Sequence, residues 1–132
     1  RTAFPYRRSL LVEADDAAQG FPQLQEALRH LVAPTQVAKG GLAVLFSGQG
    51  SQRAGMGLEL LEGAEPGFEV FRRTYGELLA ACDQQLQGSL REVIRTGREL
   101  DETRYAQPAL FCLEVALFRQ WQAWGFRPRV LL

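Results

Sequence analysis

Apolar residues recur at three-and-four spacing along several stretches of the chain, a pattern that predicts amphipathic helices. One helix is predicted over residues 21–32, and a longer one over residues 66–86, with Pro66 in its first turn. Two shorter helices are predicted over residues 56–62 and residues 89–96, the latter opened by a capping box. The apolar stripe of the longer helix consists of Phe68, Phe71, Tyr75, Leu78, Leu79, Cys82 and Leu86.

A further helix is predicted from Pro108 to Trp124. Because a proline keeps the preceding residue out of the helical region, Gln107 is expected at the N-cap, and Gly125 ends the pattern. The segment is apolar almost all round, which predicts a central helix packed on several sides. The residues that give it this character are Phe111, Leu113, Val115, Leu117 and Phe118.

Strands are predicted where residues alternate in polarity or form short apolar runs. Residues 6–14 are predicted as a first strand. Residues 42–47, LAVLFS, fit a strand covered on both faces of a parallel sheet, and residues 129–132, RVLL, fit the opening of another buried strand. The order of strand, helices, buried helix and strand indicates an α/β fold.

The same pattern predicts the domain organisation. A small βα unit is expected at residues 1–33, a linker rich in glycine and proline at residues 34–41, and a main domain at residues 42–132. The sequence begins at Arg1 without a methionine and stops inside a predicted strand at Leu132. We therefore expect it to be an internal piece of a longer polypeptide.

Residues 46–57, FSGQGSQRAGMG, form a loop rich in glycine directly after an apolar run. Met56 and Gly57 stand where a P-loop requires lysine and a hydroxyl residue, and Arg53 stands where the dinucleotide fingerprint requires its third glycine. A remaining use of such a loop is acyl transfer, in which outward-facing backbone N–H groups stabilise a developing oxyanion. That use requires a nucleophile nearby.

Composition limits the partners. The 15 basic and 15 acidic residues cancel, so neither nucleic acid nor an anionic membrane is expected as a partner. The longest apolar segment, residues 105–118, is shorter than the ~20 residues that a membrane span needs, and no signal peptide is visible. Cys82 and Cys112 lie among apolar residues, as expected of reduced, buried thiols. We expect a cytoplasmic protein.

Candidate catalytic side chains are sparse. His30 is the only histidine, and its place in the first predicted helix favours an ordinary surface role. Ser51 lies in the glycine loop, but no histidine is placed to activate it. One histidine and two distant cysteines make no metal-binding spacing. The residues thus predict no metal site and no complete catalytic set. Two functions remain open, acyl transfer and a purely structural role.

Two segments in this order resemble one enzyme family. Residues 46–57 followed by TRYAQPALFCLEVALFRQWQAWGFRPRVLL, residues 103–132, are similar to the N-terminal half of the acyltransferase domain of modular type I polyketide synthases. They are also similar to malonyl-CoA:acyl-carrier-protein transacylases. Residues 1–14 and the helix after them resemble the linker between ketosynthase and acyltransferase. The resemblance implies an α/β-hydrolase-like core with parallel strands.

The resemblance also implies roles for particular residues. In this family the nucleophilic serine follows the strand that matches residues 129–132, and the catalytic histidine lies further downstream, so this chain alone should be inactive. Gln49 matches the residue whose backbone N–H forms half of the oxyanion hole, in a loop shaped by Gly48 and Gly50. Gln107 matches a glutamine that lines the acyl pocket.

The implied reaction carries an acyl unit from CoA, through an acyl-serine, to the phosphopantetheine thiol of an acyl carrier protein. The implied partners are acyl-CoA, the carrier protein, the rest of the acyltransferase domain and an upstream ketosynthase. No cofactor is expected to be held by these residues. Residues 99–132 are more similar to malonyl-selective than to methylmalonyl-selective relatives. Ser47 is a mild departure from the family, which more often has proline or threonine at this position. The parent could be a polyketide synthase, as in antibiotic biosynthesis, or a free-standing transacylase.

Overall fold

The chain forms two compact units, residues 1–40 and residues 41–132. The computed structural model of the protein describes residues 6–7, 17–30, 35–36, 40–86 and 88–132. In the first unit, strand β1 (Tyr6–Arg7) pairs antiparallel with strand β2 (Thr35–Gln36). Helix α1 (Ala17–Arg29) lies between these strands in the sequence.

The first unit departs from the sequence prediction at two points. β2 lies inside the predicted linker at residues 34–41, so part of that segment is a paired strand. α1 begins at Ala17 instead of residue 21 and contains Pro22. The other residues of the predicted strand at 6–14 and of the linker before Gly40 lie outside the described residues.

In the second unit, two short strands form a parallel pair. β3 (Ala43–Val44) and β4 (Val130–Leu131) are in register at Ala43 and Val130. The pairing continues past the strands, because Phe46 N donates to Leu132 O at 2.8 Å. Two apolar runs separated by most of the unit thus meet side by side. This confirms the predicted α/β class with parallel strands.

Helices lie between β3 and β4 in the sequence and build the core of the second unit. They are α2 (Leu58–Glu62), α3 (Glu69–Leu86), α4 (Leu90–Thr96) and α5 (Thr103–Ala123). α3 packs mainly against α5, where Ala109, Cys112 and Ala116 are fully buried. These small residues leave room for the large buried side chains of α3. The buried residues of that stripe are Phe71, Tyr75 and Leu79, as the apolar pattern predicted.

The boundaries of the shorter elements follow local signals. α3 begins at Glu69, after a turn in which Gly67 adopts φ +91°, so Pro66 precedes the helix instead of opening it. Ser89 caps α4 by accepting a 3.3 Å hydrogen bond from the backbone N–H of Glu92, which is the serine half of the predicted capping box. The predicted return bond from Ser89 N–H to the Glu92 side chain is not formed between these two described residues.

The predicted start of α5 at Pro108 is wrong. The helix begins at Thr103, with Glu102 at the N-cap, and Gln107 lies more than a turn inside. The carbonyl oxygen of Glu102 accepts a 2.8 Å hydrogen bond from Ala106 N, which closes the first turn. Pro108 only biases its predecessor away from the helical region, and the burial of α5 against α3 outweighs that bias.

Among the described residues, α5 is not packed on several sides as predicted, and the strands are not covered on both faces as predicted. α5 buries one face, and Phe111 on another face is 58% exposed. The strand region is open as well, since Leu45 is 74% exposed and Val130 is 48% exposed. The buried residues of α5 are Ala106, Ala109, Leu110, Cys112, Ala116 and Gln120. A large apolar surface therefore remains accessible beside the parallel strands.

Candidate active site

The glycine loop runs from the end of β3 to the start of α2. Gly50 has φ +115°, in the left-handed region that disfavours residues with a Cβ atom. Gly48 does not have a positive φ, and a Cβ atom built there would meet no atom within 4 Å. Of the two glycines predicted to shape the loop, only Gly50 therefore requires glycine for its backbone conformation.

The loop is anchored near its start by a carboxylate of α5. Glu114 Oε1 accepts a 2.7 Å hydrogen bond from Ser47 N and a 2.5 Å hydrogen bond from Ser47 Oγ. Ser51 Oγ lies 2.8 Å from Ser47 Oγ and donates to Gly48 O at 2.9 Å. The start of the loop is therefore tied to α5 and folded back on itself.

A second anchor holds the middle of the loop. Gln52 uses both ends of its amide: Oε1 accepts from Gly50 N at 2.7 Å, and Nε2 donates to Asp101 Oδ1 at 2.8 Å. Asp101 lies just before α5, next to the N-cap residue Glu102. Further along, Gly55 N donates to Ile94 O at 2.7 Å, which fixes the loop to α4. The loop is thus held by groups from two helices.

Gln49 lies between these anchors. Its side-chain Nε2 donates to Thr103 Oγ1 at 3.2 Å, at the start of α5. Its backbone N–H, like that of Gly48, donates to no acceptor among the described residues, whereas the N–H groups of Ser47, Gly50 and Ser51 do. Gln49 as a residue is exposed.

Gln107 lies on the face of α5 that follows the loop. At about 100° per residue, Thr103, Gln107 and Glu114 point within about 40° of one another around the helix axis. Thr103 contacts Gln49 and Glu114 contacts Ser47, so Gln107 stands between two residues that hold the loop. Its side chain is exposed. Gln107 therefore lies on the same face of α5 as Thr103, the residue that Gln49 contacts from the loop.

A groove of about 370 Å³ opens next to the loop. Its lining is apolar except for Ser47 and Glu114. The apolar lining consists of Val44, Leu45, Phe46, Leu113, Leu117, Phe118 and Trp121. Since Phe46 packs edge-on against Phe118 with ring centroids 5.8 Å apart, the strand end and α5 form one continuous wall.

Other candidate chemistry is not assembled in the described residues. His30 is exposed and bonds Glu26 at 2.8 Å within the first unit. In the described part of the chain, no group of three metal-ligating side chains comes together. No helix there is long and apolar enough to cross a membrane.

Comparison with known proteins assigns the segment that contains this loop and helix to a family. The acyl transferase domain family matches residues 44–132, which include the glycine loop, the groove and all of α5. The chain belongs to the acyl transferase domain family. This match confirms the resemblance predicted from the two sequence segments.

Relatives of this acyltransferase chain include large synthases. Polyketide synthase GfsA from Streptomyces halstedii is 39% identical over 152 residues, covering 99% of this chain and 2% of the synthase. Mycoketide-CoA synthase from Mycobacterium tuberculosis is 42% identical over 100 residues, covering 74% of this chain and 2% of that protein. The chain therefore spans a small part of the curated relatives it matches.

Solved structures agree with the acyltransferase fold. The acyltransferase domain from the second module of the salinomycin polyketide synthase matches with a TM-score of 0.73 at 43% identity, covering 91% of this chain and 28% of that one. FabD from Acinetobacter baumannii matches with a TM-score of 0.56 at 34% identity, covering 71% of this chain and 28% of that one.

Sequence reasoning missed the side chains that hold the acyltransferase loop. Glu114 was visible as a lone carboxylate within an apolar helix, and that mismatch is the signal that could have found it. Asp101 and Thr103 lie about fifty residues from the loop, and ordinary polar residues at a helix start give no signal of such a contact. The missed anchors are Ser47, Gln52, Asp101, Thr103 and Glu114.

Proposed function

We propose that residues 41–132 supply the oxyanion loop of an acyltransferase that acts in polyketide synthesis. The enzyme moves an acyl unit, with malonyl favoured, from CoA through an acyl-serine to the phosphopantetheine thiol of an acyl carrier protein. The observation that carries the proposal is the backbone N–H of the exposed residue Gln49, which has no acceptor among the described residues and lies in a loop anchored on both sides. Membership of the acyl transferase domain family supports acyl transfer as the reaction in which that N–H acts.

The role of Gln49 follows from where charge develops. When a serine attacks the thioester carbonyl, the carbonyl oxygen becomes an oxyanion, which a fixed N–H stabilises better than mobile water does. Removing one donor of this kind typically costs about 100- to 1,000-fold in rate. The nucleophilic serine and the catalytic histidine are proposed to lie in the remainder of the acyltransferase domain, so these 132 residues by themselves should not catalyse the transfer.

Gln107 is proposed to line the acyl pocket. Its amide is exposed, on the α5 face shared with the loop-holding residues Thr103 and Glu114. An amide can donate to a carbonyl or carboxylate oxygen of the acyl group and accept from a donor. The alternative for Gln107 is an ordinary solvated position on a helix.

A synthase context is favoured over a free-standing transacylase, because a polyketide synthase aligns over nearly the whole chain. The alignment with GfsA covers 99% of the chain, whereas the match with FabD covers 71%. Residues 1–33 are accordingly proposed as the linker from an upstream ketosynthase. The carrier protein and acyl-CoA are the proposed partners, and a cytoplasmic location remains a prediction.

The test is a burst assay for acyl-serine formation with malonyl-CoA in the complete acyltransferase that contains this chain. Gly50→Val should slow acylation by more than about 100-fold, because a β-branched residue at φ +115° displaces the loop. Gln49→Ala keeps the backbone N–H and should lose less. Gly125→Val is the matched control, since Gly125 also has a positive φ of +97° and an open Cβ position, but lies after α5. Acylation by Gly50→Val at the parent rate would remove the loop from the mechanism.

A further inference from the structure

The carboxylate of Glu114 lies in an unusual place. It is half-buried on α5 and lines an apolar groove, next to Leu113, Leu117 and Phe118. Within the described residues it forms no ion pair. A partly buried charge without a cationic partner costs free energy unless hydrogen bonds compensate for the lost water. We therefore expect this compensation from the hydrogen bonds that Glu114 accepts.

Both hydrogen bonds of Glu114 go to one residue of the glycine loop. Ser47 N and Ser47 Oγ converge on the single oxygen Oε1, at 2.7 and 2.5 Å. Hydrogen bonds to an ionised acceptor are shorter and roughly twice as strong as neutral ones. Because the two donors belong to the backbone and to the side chain of the same residue, they fix both its position and its χ1 rotamer.

The carboxylate also sets the direction of the neighbouring hydroxyl groups. An ionised carboxylate only accepts, so Ser47 Oγ must give its proton to Glu114. Ser47 Oγ can then only accept from Ser51 Oγ, 2.8 Å away, and Ser51 shares its proton with Gly48 O. The single proton of Ser51 Oγ thus has two acceptors within reach, and one of them is the carbonyl of the residue immediately before Gln49.

From this geometry we infer that Glu114 is a positioning residue that holds the oxyanion loop in its working conformation. The inference rests on the proposed function and adds a residue to it. Glu114 touches no reacting group itself; it fixes Ser47, two residues before the N–H that would meet the oxyanion. Gln52 and Asp101 fix the other side of that N–H, so the loop needs no reorganisation when charge develops.

The first test separates the contact from catalysis. In the complete acyltransferase, Glu114→Ala should speed amide hydrogen exchange at Ser47 about tenfold or more, because the acceptor of that N–H is lost. Glu114→Gln should restore most of the protection, since its Oε1 can still accept both bonds. Glu77→Ala, at an exposed helical glutamate of α3, is the matched control and should leave Ser47 exchange unchanged. Unchanged exchange in Glu114→Ala would overturn the inference.

The second test uses the rate of acyl-serine formation. Glu114→Ala should slow acylation about tenfold with little change in KM for malonyl-CoA, and Glu114→Gln should recover most of the rate. Ser47→Ala combined with Glu114→Ala should be less than additive, because the two side chains share one hydrogen bond. Parent-rate acylation by Glu114→Ala beside an inactive Gly50→Val would overturn this inference alone. Parent-rate acylation by both variants would overturn the proposed function too.

Discussion

Gln120 on α5 caps the first turn of α3: its Oε1 accepts a 2.9 Å hydrogen bond from the backbone N–H of Phe71. Phe71 is the third residue of α3, where backbone N–H groups lack a partner in the preceding turn. Both residues are buried, at 2% and 0% exposure, so water cannot replace the bond. A polar side chain thus joins the two helices at the centre of the core.

Gln120→Leu should destabilise the fold. The substitution leaves the N–H of Phe71 buried without an acceptor, and we expect the free energy of unfolding to fall by about 1–3 kcal/mol. Urea denaturation measures this. Gln85→Leu, at an exposed position of α3, is the control and should change stability by less than about 0.5 kcal/mol. Equal effects of the two substitutions would show that the capping bond adds nothing.

Gly57→Ala should destabilise the fold much more than Gly55→Ala. The two glycines have similar φ angles, +74° and +76°, so the backbone strain of alanine is nearly the same at both. A Cβ atom at Gly57 would lie 2.7 Å from Leu113 Cδ1 and 2.9 Å from Tyr75 Cε1, whereas at Gly55 it would meet nothing within 4 Å. We expect the difference in the free energy of unfolding to be about 1–3 kcal/mol, as for overpacking elsewhere. Comparing the two denaturation midpoints tests it.

Cys112 should resist alkylation in the folded protein. Burial, with a hydrogen bond to Cys82 at an Sγ–Sγ distance of 3.6 Å, raises the pKa of the Cys112 thiol from 9.0 to about 12. Iodoacetamide at about pH 8 should therefore leave Cys112 unmodified until urea unfolds the chain, as read by peptide mass spectrometry. Rapid labelling of Cys112 under native conditions would contradict the burial.

The same shift gives a pH dependence of stability. The folded state keeps a proton on Cys112 that the unfolded state releases above pH 9.0, so the unfolded state binds fewer protons between pH 9.0 and about 12. The free energy of unfolding should fall as the pH rises through this window. Cys112→Ala provides the comparison: its stability should decline less steeply with pH than that of the parent.

Gln107→Leu should impair catalysis without destabilising the fold. Gln107 is exposed, so its substitution should change the free energy of unfolding by less than about 0.5 kcal/mol. If its amide binds the acyl group, kcat/KM for malonyl-CoA should fall about tenfold or more in the complete acyltransferase. Gln85→Leu is again the control for substitution at an exposed helical glutamine. Unchanged kcat/KM would assign Gln107 to the solvated helix surface.

Local patterns in the sequence were enough to predict much of the structure of the second unit. The stripe of α3 was predicted because three-and-four spacing is a property of one helix, and its members Phe71, Tyr75 and Leu79 are buried. The parallel strands were predicted from two continuous apolar runs. The role of Gly50 in shaping the loop stays a prediction, with which its φ of +115° is consistent. These features depend on neighbours in the chain or on backbone conformation alone.

The tertiary structure decided what depends on residues far apart. The start of α5 at Thr103 overrides the local bias of Pro108, because packing against α3 makes the longer helix favourable. Gln120 looked like one more polar residue near a helix end, and Glu114 looked like an interruption of an apolar run. Their bonds to Phe71 and Ser47 span 49 and 67 residues, and no local period encodes such a separation. A hydrogen bond of that kind forms only when the two elements have packed against each other. The tertiary structure, and not the local sequence, therefore determines the anchor of the loop.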